Sequence, residues 1–259
     1  MRRALCGEIP SKLGSLVQLD ETEAKHLVSV LRMGPGDEIE LLDGSGTLAR
    51  GILVFREKKV FAEVSSEPVT NSKLLSFPIH LSMSIIKGEA MEWVIEKAVE
   101  MGARSLTPVE TEFTVVKLQK RGADSFQERW QRIADQALKQ SGRLDRMTVK
   151  APVDFESALL SPHHQLWLDE EMGDVGGSAE YLSSRIQTLK TARELSLFVG
   201  PEGGFSPTER SRLLQLTMSE KHEITRVHLG SIILRAETAA LMGLALLAGN
   251  TYGKGKNQI

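Results

Sequence analysis

From Leu197 to Leu247 the chain reads LFVGPEGGFSPTERSRLL, then a polar connection, then VHLGSIILRAETAALMGLALL. Two apolar runs of strand length each end in a glycine turn, and each turn opens a helix. Units of this kind belong to open α/β sheets, where backbone amides and a helix N-terminus surround a small ligand at the carboxyl ends of the strands. Two of them in close succession predict one pocket built from both. Val199, Gly200, Pro201, Gly203 and Gly204 supply the first wall, and Leu229, Gly230, Ile233 and Leu234 the second.

The helix after the first turn is well signed. Ser206 is the expected N-cap, Pro207 takes the first helical position and Glu209 completes a capping box. The loop lacks the Lys and Ser/Thr of a P-loop and is not GxGxxG, which argues against an ATP or dinucleotide site. At the second turn Arg235 opens a helix whose residues are almost all small or apolar. A cation there opposes the helix dipole by roughly 0.3–1 kcal/mol, whereas Glu237 sits on its favourable side. A structural Arg235–Glu237 pair and a functional cation are equally compatible with this pattern. The helix Glu237 to Leu247, apolar nearly all round, is expected in the core or at a subunit interface.

The remainder divides in two. Up to about Val69 the pattern is β-rich, with a helix over Glu21 to Leu31 capped by Asp20 or Thr22 and placing His26, Leu27, Val30 and Leu31 on one face. Turns at Gly34-Pro35-Gly36-Asp37 and Asp43-Gly44-Ser45-Gly46 bracket a strand over Glu38 to Leu42. A second strand over Gly51 to Phe55 runs to a hairpin tip at Lys58-Lys59. Short strands at this spacing predict a small barrel. Ser65 to Pro78 carries the punctuation of a linker. Beyond it strands are expected at Ile79 to Ile86, Leu106 to Val109, Met147 to Lys150, Leu166 to Asp169, Leu195 to Val199 and Ile224 to Leu229. A helix over Glu89 to Met101 buries Met91, Ile95 and Ala98. A further helix after Asp124 carries a Phe126–Trp130–Ala134–Leu138 stripe, with Ser125 and Glu128 at capping-box spacing. Such alternation predicts a mostly parallel sheet with helices on both faces. Glu171 to Lys190 reads as a loop with a short helix. The expected domains are residues 1–70 and 71–259.

Several function classes are disfavoured. The formal net charge of −2 is incompatible with a basic coat that binds nucleic acid by charge alone, though not with a local patch. No stretch of about 18 apolar residues is present, so no membrane span is expected. Cys6 is the single cysteine, which suits a reducing cytoplasm. The six histidines form no HExxH motif, His163-His164 is expected in an exposed loop beside Pro162, and no metal site is expected. No GxSxG elbow is present for nucleophilic hydrolysis. Arg2-Arg3, Lys117 to Arg121, and Arg143 with Arg146 are basic clusters that read first as solvated surface.

FVGPEGGFSPTE followed by LGxxILRxETA resembles the paired signature of the RsmE family, the 16S rRNA (uracil(1498)-N(3))-methyltransferases of the SPOUT class. The likeness extends to His26-Leu27 with Val30 to Asp37, to Lys87-Gly88 with Met91-Glu92-Trp93 and Glu96-Lys97-Ala98, and to Gln140-Ser141-Gly142-Arg143. The chain departs from the family at Ser231-Ile232, where Pro-Arg is usual, at Ala236 in place of Thr, and at Phe113, often arginine.

The resemblance implies a PUA-like RNA-binding β-barrel followed by a SPOUT α/β domain with a C-terminal trefoil knot, S-adenosyl-L-methionine as cofactor and a homodimeric assembly. The nine turn residues named above become the cofactor clasp, and Arg235, Glu202 and Glu237 the catalytic candidates. Arg2, Arg3, Arg32, Lys87 and Arg143 become candidate contacts to 16S rRNA or the small ribosomal subunit. Two alternatives remain open: a SPOUT enzyme acting on a different RNA nucleotide, and a non-catalytic RNA-binding assembly factor.

Overall fold

The computed structural model describes residues 2–57, 59–70, 78–116, 122–170, 179–186, 194–219 and 223–252. Lys58, the Lys117 to Arg121 cluster, residues 71–77 of the expected Ser65 to Pro78 linker, and much of the expected Glu171 to Lys190 loop lie outside them. Two compact units emerge: Met1–Lys73 with Asp135–Arg146, and Leu74–Ala134 with Met147–Ile259.

The first unit is a six-stranded sheet formed by β1 (Arg3–Leu5), β2 (Leu16–Gln18), β3 (Glu38–Leu42), β4 (Thr47–Arg56), β5 (Lys59–Val64) and β6 (Val69–Thr70). The order β1-β3-β4-β5-β2 leaves β1 and β2 at its edges, with β6 paired to β4. Alternation along the strands sends Ile39, Leu41, Leu53, Ala62 and Val64 into one core with Leu27 and Met33. The short helix α1 (Glu21–Lys25) is capped by Asp20, whose carboxylate accepts from the Glu23 amide at 2.7 Å. It does not continue as an α-helix to Leu31. From His26 to Val30 the backbone widens into a π-turn, in which the Leu31 amide donates to the His26 carbonyl. The extra residue per turn breaks the expected stripe: Leu27 stays fully buried, while Val30 is turned out and 65% exposed.

The second unit is an eight-stranded sheet in which every pairing is parallel. The elements from Ile79 on, in chain order, are β7 (Ile79–Ser84), α2 (Gly88–Glu100), β8 (Ser105–Glu110), α3 (Ala123–Ser141, of which the part from Asp135 belongs to the first unit), β9 (Thr148–Val149), β10 (Val153–Asp154), α4 (Phe155–Leu159), β11 (His164–Leu168), β12 (Glu180–Tyr181), α5 (Leu182–Arg185), β13 (Leu195–Val199), α6 (Pro207–Thr217), β14 (Ile224–His228) and α7 (Ala236–Tyr252). Strand order is β10-β8-β7-β13-β11-β14-β12, with β9 paired to β8.

Helices cover both faces, as the alternation of strands and helices predicts. On one face Trp167 and Phe198 pack with Phe155 of α4 and with Leu213 and Leu216 of α6. Their chain neighbours Leu168 and Leu197 point the other way, against α7 at Gly243. A Cβ atom at Gly243 would stand 2.7 Å from the Leu197 side chain, so this glycine sets how closely α7 approaches the sheet. The α3 helix begins at Ala123, directly after Gly122 in the left-handed region. Ser125 therefore lies inside the first turn and is not the cap its spacing with Glu128 suggested. Trp130, Ala134, Ala137 and Leu138 are buried as their periodicity requires. Among the described residues no helix is long and apolar enough to cross a membrane.

Candidate active site

The site is assembled at the carboxyl ends of β11, β13 and β14. Beyond Val199 the chain turns through Gly200-Pro201-Glu202-Gly203-Gly204, and the Gly204 amide donates to the Pro201 carbonyl at 3.0 Å. Gly204 has φ +70°, and a Cβ there would lie 2.6 Å from Glu170 Oε1. The backbone conformation favours glycine, and a Cβ would also displace the Glu170 carboxylate. The capping box that fixes the end of this loop is present in full. The Ser206 hydroxyl accepts from the Glu209 amide, and the Glu209 carboxylate accepts from the Ser206 amide at 2.9 Å. The other Glu209 oxygen accepts from the Glu112 amide at 2.9 Å. Phe205 is inserted beneath the loop against Phe198, Trp167 and Phe155.

The second turn is built differently. Gly230 has φ +145°, and nothing surrounds the place a Cβ would occupy. Ile232 and Ile233 are 79% and 81% exposed. Arg235 stands one residue before α7 and its carbonyl accepts from the Ala239 amide. Its side chain is 85% exposed, 4.0 Å from Glu237 Oε1. A pair so exposed contributes about 0–1 kcal/mol, too little to make stability the reason for a cation at the wrong end of a helix dipole.

The two turns enclose a cavity of about 290 Å³. Val199, Gly200, Pro201, Gly203, Gly204, Leu229, Gly230, Ile233 and Leu234 all line it, which is the full set expected to form the clasp. A neighbouring cavity of about 440 Å³ shares Glu202, Ile233, Leu234 and Ala236 with the first and adds Arg235 and Glu237. The three catalytic candidates thus line one space, separated from the clasp by a common wall. Glu202 belongs to that wall, and its Oε1 accepts from the backbone amide of Lys87 at 3.2 Å.

A family model described as the RNA methyltransferase domain matches residues 73–248, and one described as the RNA methyltransferase PUA domain matches residues 19–65. The chain belongs to this RNA methyltransferase family. The small subunit ribosomal RNA methyltransferase E of Bacillus subtilis is 29% identical over 231 residues, covering 88% of each chain. That of Mycobacterium tuberculosis is 29% identical over 243 residues, covering 89% of this chain and 85% of the relative. Among solved structures, that of the same enzyme from Neisseria gonorrhoeae with bound S-adenosyl methionine superposes with TM-score 0.78 at 28% identity, over 96% of this chain and 98% of that one. A Legionella pneumophila protein solved with bound SAM gives TM-score 0.83 at 27% identity, over 96% and 97%. The RsmE resemblance read from the motifs therefore holds across nearly the whole methyltransferase.

The cavity of the methyltransferase also takes in residues that were not among those expected to form the clasp. Leu168, Asp169, Glu170, Ile232, Ala236 and Ala239 also line the cavity. Asp169 is fully buried, holding Arg210 through both carboxylate oxygens, at 2.5 and 2.7 Å, and Arg226 at 2.5 Å. Both guanidinium groups also lie over the Trp167 ring, 5.6 and 5.7 Å from its centroid. This bundle fixes the end of β11 beside the clasp. The only sequence sign of it was a carboxylate ending an apolar strand, and its two arginines are 41 and 57 residues away.

The RNA-contact candidates are divided between the units. Arg2 and Arg32 are exposed in the first unit, Arg2 donating to the Leu31 carbonyl at 2.9 Å and Arg32 holding φ 56°. Arg3 is engaged, with Nε on Glu40 and Nη1 on the Lys139 carbonyl, both at 2.8 Å. Arg143 is half-buried. Lys87 is exposed in the second unit, at the N-cap of α2. Burial beside Asp43 and Glu23 pushes the Cys6 thiol up to about 12, so it is a protonated, poor nucleophile at neutral pH. His163-His164 is not an exposed loop. His164 is the first residue of β11, and the His163 ring is largely covered, stacked on His80.

Proposed function

We propose that the protein transfers a methyl group from S-adenosyl-L-methionine to N3 of a uridine in the 16S rRNA of the small ribosomal subunit, position 1498 by the family resemblance. The observation that carries this reading is the pair of cavities with a common wall. A glycine-built clasp lies on one side, and an exposed arginine with two carboxylates on the other. The clasp suits the cofactor: glycine backbone offers close approach, and a cavity lined largely by backbone and aliphatic side chains suits an adenosine moiety. When bound, the cofactor supplies an electrophilic methyl on a sulfonium cation.

The chain's own residues supply the rest. N3 of uracil carries a proton that must be lost before attack. Arg235 can donate to a uracil carbonyl and so stabilise the N3 anion. Glu202, in the shared wall and held by the Lys87 amide, accepts the N3 proton, and Glu237 orients Arg235. Charge is destroyed as the methyl moves, so the apolar wall of Ile233, Leu234 and Ala236 favours the transition state once bound RNA covers it and excludes water. Because N3 lies on the Watson–Crick edge, the target base must be unpaired or flipped.

Residues 1–70 act in this reading as the PUA-like RNA-binding domain, with Arg2 and Arg32 as the arginines best placed for phosphate. Residues 71–259 form the SPOUT domain, with its C-terminal trefoil knot and homodimeric assembly in the cytoplasm. Phe113 and Ser231-Ile232 favour a second reading, in which a different RNA nucleotide is the target. Phe113 stands where the family often has arginine and touches the position of a Gly203 Cβ at 3.4 Å. Mass spectrometry of rRNA nucleosides from a strain lacking the gene decides between them. Loss of 3-methyluridine supports the main reading, loss of another methylated nucleoside selects the second, and an unchanged profile defeats both.

A further inference from the structure

At the opposite, amino-terminal end of the parallel strands lies a side-chain cluster that the methyl-transfer chemistry does not use. His80 is the second residue of β7, Glu194 immediately precedes β13, and His163 immediately precedes β11. These strands are adjacent in the order β7-β13-β11, so their amino ends stand in a row. The register pairs His80 with Ser196 and His164 with Leu195, which brings the three side chains together although they come from distant parts of the sequence. His163 Nδ1 lies 2.8 Å and His80 Nε2 3.2 Å from the same oxygen, Glu194 Oε2. One ligand atom from each residue falls within 4.8 Å of the other two.

We propose that His80, His163 and Glu194 bind a divalent transition-metal ion, zinc by the chemistry of the ligands, as a structural site that ties the amino ends of three strands. Two imidazoles and a carboxylate form a donor set of the borderline kind that zinc prefers. Zinc–ligand bonds of about 2.0–2.2 Å in a tetrahedron separate neighbouring donors by about 3.3–3.5 Å. The two observed separations from Glu194 need to open by only a few tenths of an ångström. His80 is already oriented from behind, because its other nitrogen, Nδ1, lies 2.7 Å from the Ser105 hydroxyl. That is the outer-sphere contact a metal-bound imidazole requires.

The protonation states suit a cation. Burial and the neighbouring His163 lower His80 to about 4, so its imidazole is neutral at pH 7, and burial lowers His163 as well. Metal binding then needs only a change of tautomer. The His80 proton moves to Nδ1, where the Ser105 oxygen accepts it, and the His163 proton moves to Nε2. No proton is released and no other reagent is needed. The rings are now stacked, centroids 4.0 Å apart and planes 3° from parallel, so they must splay to aim both nitrogen lone pairs at one ion. Lys150, whose charge already disfavours protonation of both histidines, opposes the cation, whereas Glu194 attracts it. The Glu194 side chain is 41% exposed, which leaves an open side for a water to complete the tetrahedron.

The test is calorimetric titration of zinc chloride into the metal-free full-length protein, with cobalt(II) absorption as a second readout. The expected result is one ion per chain with the intense visible bands of tetrahedral cobalt. Affinity should fall at least about 100-fold in His163→Ala and in Glu194→Gln, and about 10-fold in Ser105→Ala. Glu194→Gln alters a half-exposed carboxylate and keeps the test decisive if His163→Ala does not fold. Absence of stoichiometric zinc uptake would overturn the proposal. So would uptake that His163→Ala and Glu194→Gln leave as tight as in the parent protein, since the ion would then sit elsewhere.

Discussion

The two glycine turns of the catalytic unit look alike in sequence and are opposite in construction. The turn after β13 is held from beneath by Phe205, closed by the capping box, tied through Glu209 to the Glu112 amide, and fitted so closely that a Cβ at Gly204 would stand 2.6 Å from Glu170 Oε1. The turn after β14 has open space around Gly230, leaves Ile232 and Ile233 about four-fifths exposed, and ends on an arginine that is 85% exposed. The first is a preformed wall whose geometry is set before any ligand arrives. The second presents apolar surface and a cation to solvent, an arrangement that gains value only when another molecule covers it. On the proposed function, the first turn is the rigid wall of the cofactor clasp, whereas the second lines both cavities and also meets the acceptor.

The largest expected effect comes from the exposed turn. Arg235→Ala should lower methyl transfer by about 10²–10³-fold, the usual consequence of removing one donor to a developing anion. Cofactor affinity, measured by calorimetry, should change little because Arg235 does not line the clasp. Near-normal turnover in this variant would remove Arg235 from the mechanism and collapse the distinction between the turns.

A smaller and opposite effect is expected from the turn after β13. Gly204→Ala imposes a left-handed conformation on a residue with a Cβ, at roughly 1–2 kcal/mol, besides displacing the Glu170 carboxylate. Cofactor affinity should fall by about 5–30-fold, while turnover at saturating cofactor stays close to that of the parent. A fall in turnover with unchanged affinity would assign this loop to the acceptor instead. The smallest effect tests the openness of the second turn directly. Ile232→Ser should change unfolding free energy by no more than about 0.5 kcal/mol, as for other surface positions, when followed by denaturant titration. A loss of several kcal/mol would mean that Ile232 is buried in the working assembly.

The same contrast explains what could be read before the structure. The first turn was legible because its devices are local. Ser206, Pro207 and Glu209 lie within one helical turn of each other, and their capping chemistry depends on spacing alone. Strands β3 and β13 were placed at their observed bounds because each is an apolar run between turn signals. The reading failed where a local pattern admits two backbone solutions. The His26–Val30 segment has the composition of a continuing helix, yet the widened turn that buries Leu27 also exposes Val30. Ser125 has the spacing of a cap, but the helix starts at Ala123, two residues before it and directly after Gly122.

By itself the sequence determined the parallel α/β sheet, the family, the two glycine turns and nine of the residues that line the cavity between them, because periodicity, capping and motif spacing act over a few residues. Only the tertiary structure decided which side chains from distant strands meet. Asp169 finds Arg210 and Arg226 across 41 and 57 residues, and Glu194 reaches His80 across 114. The physical reason is register. In a parallel sheet the crossovers separate neighbouring strands widely along the chain, and which residues share an end depends on pairings that no local pattern encodes.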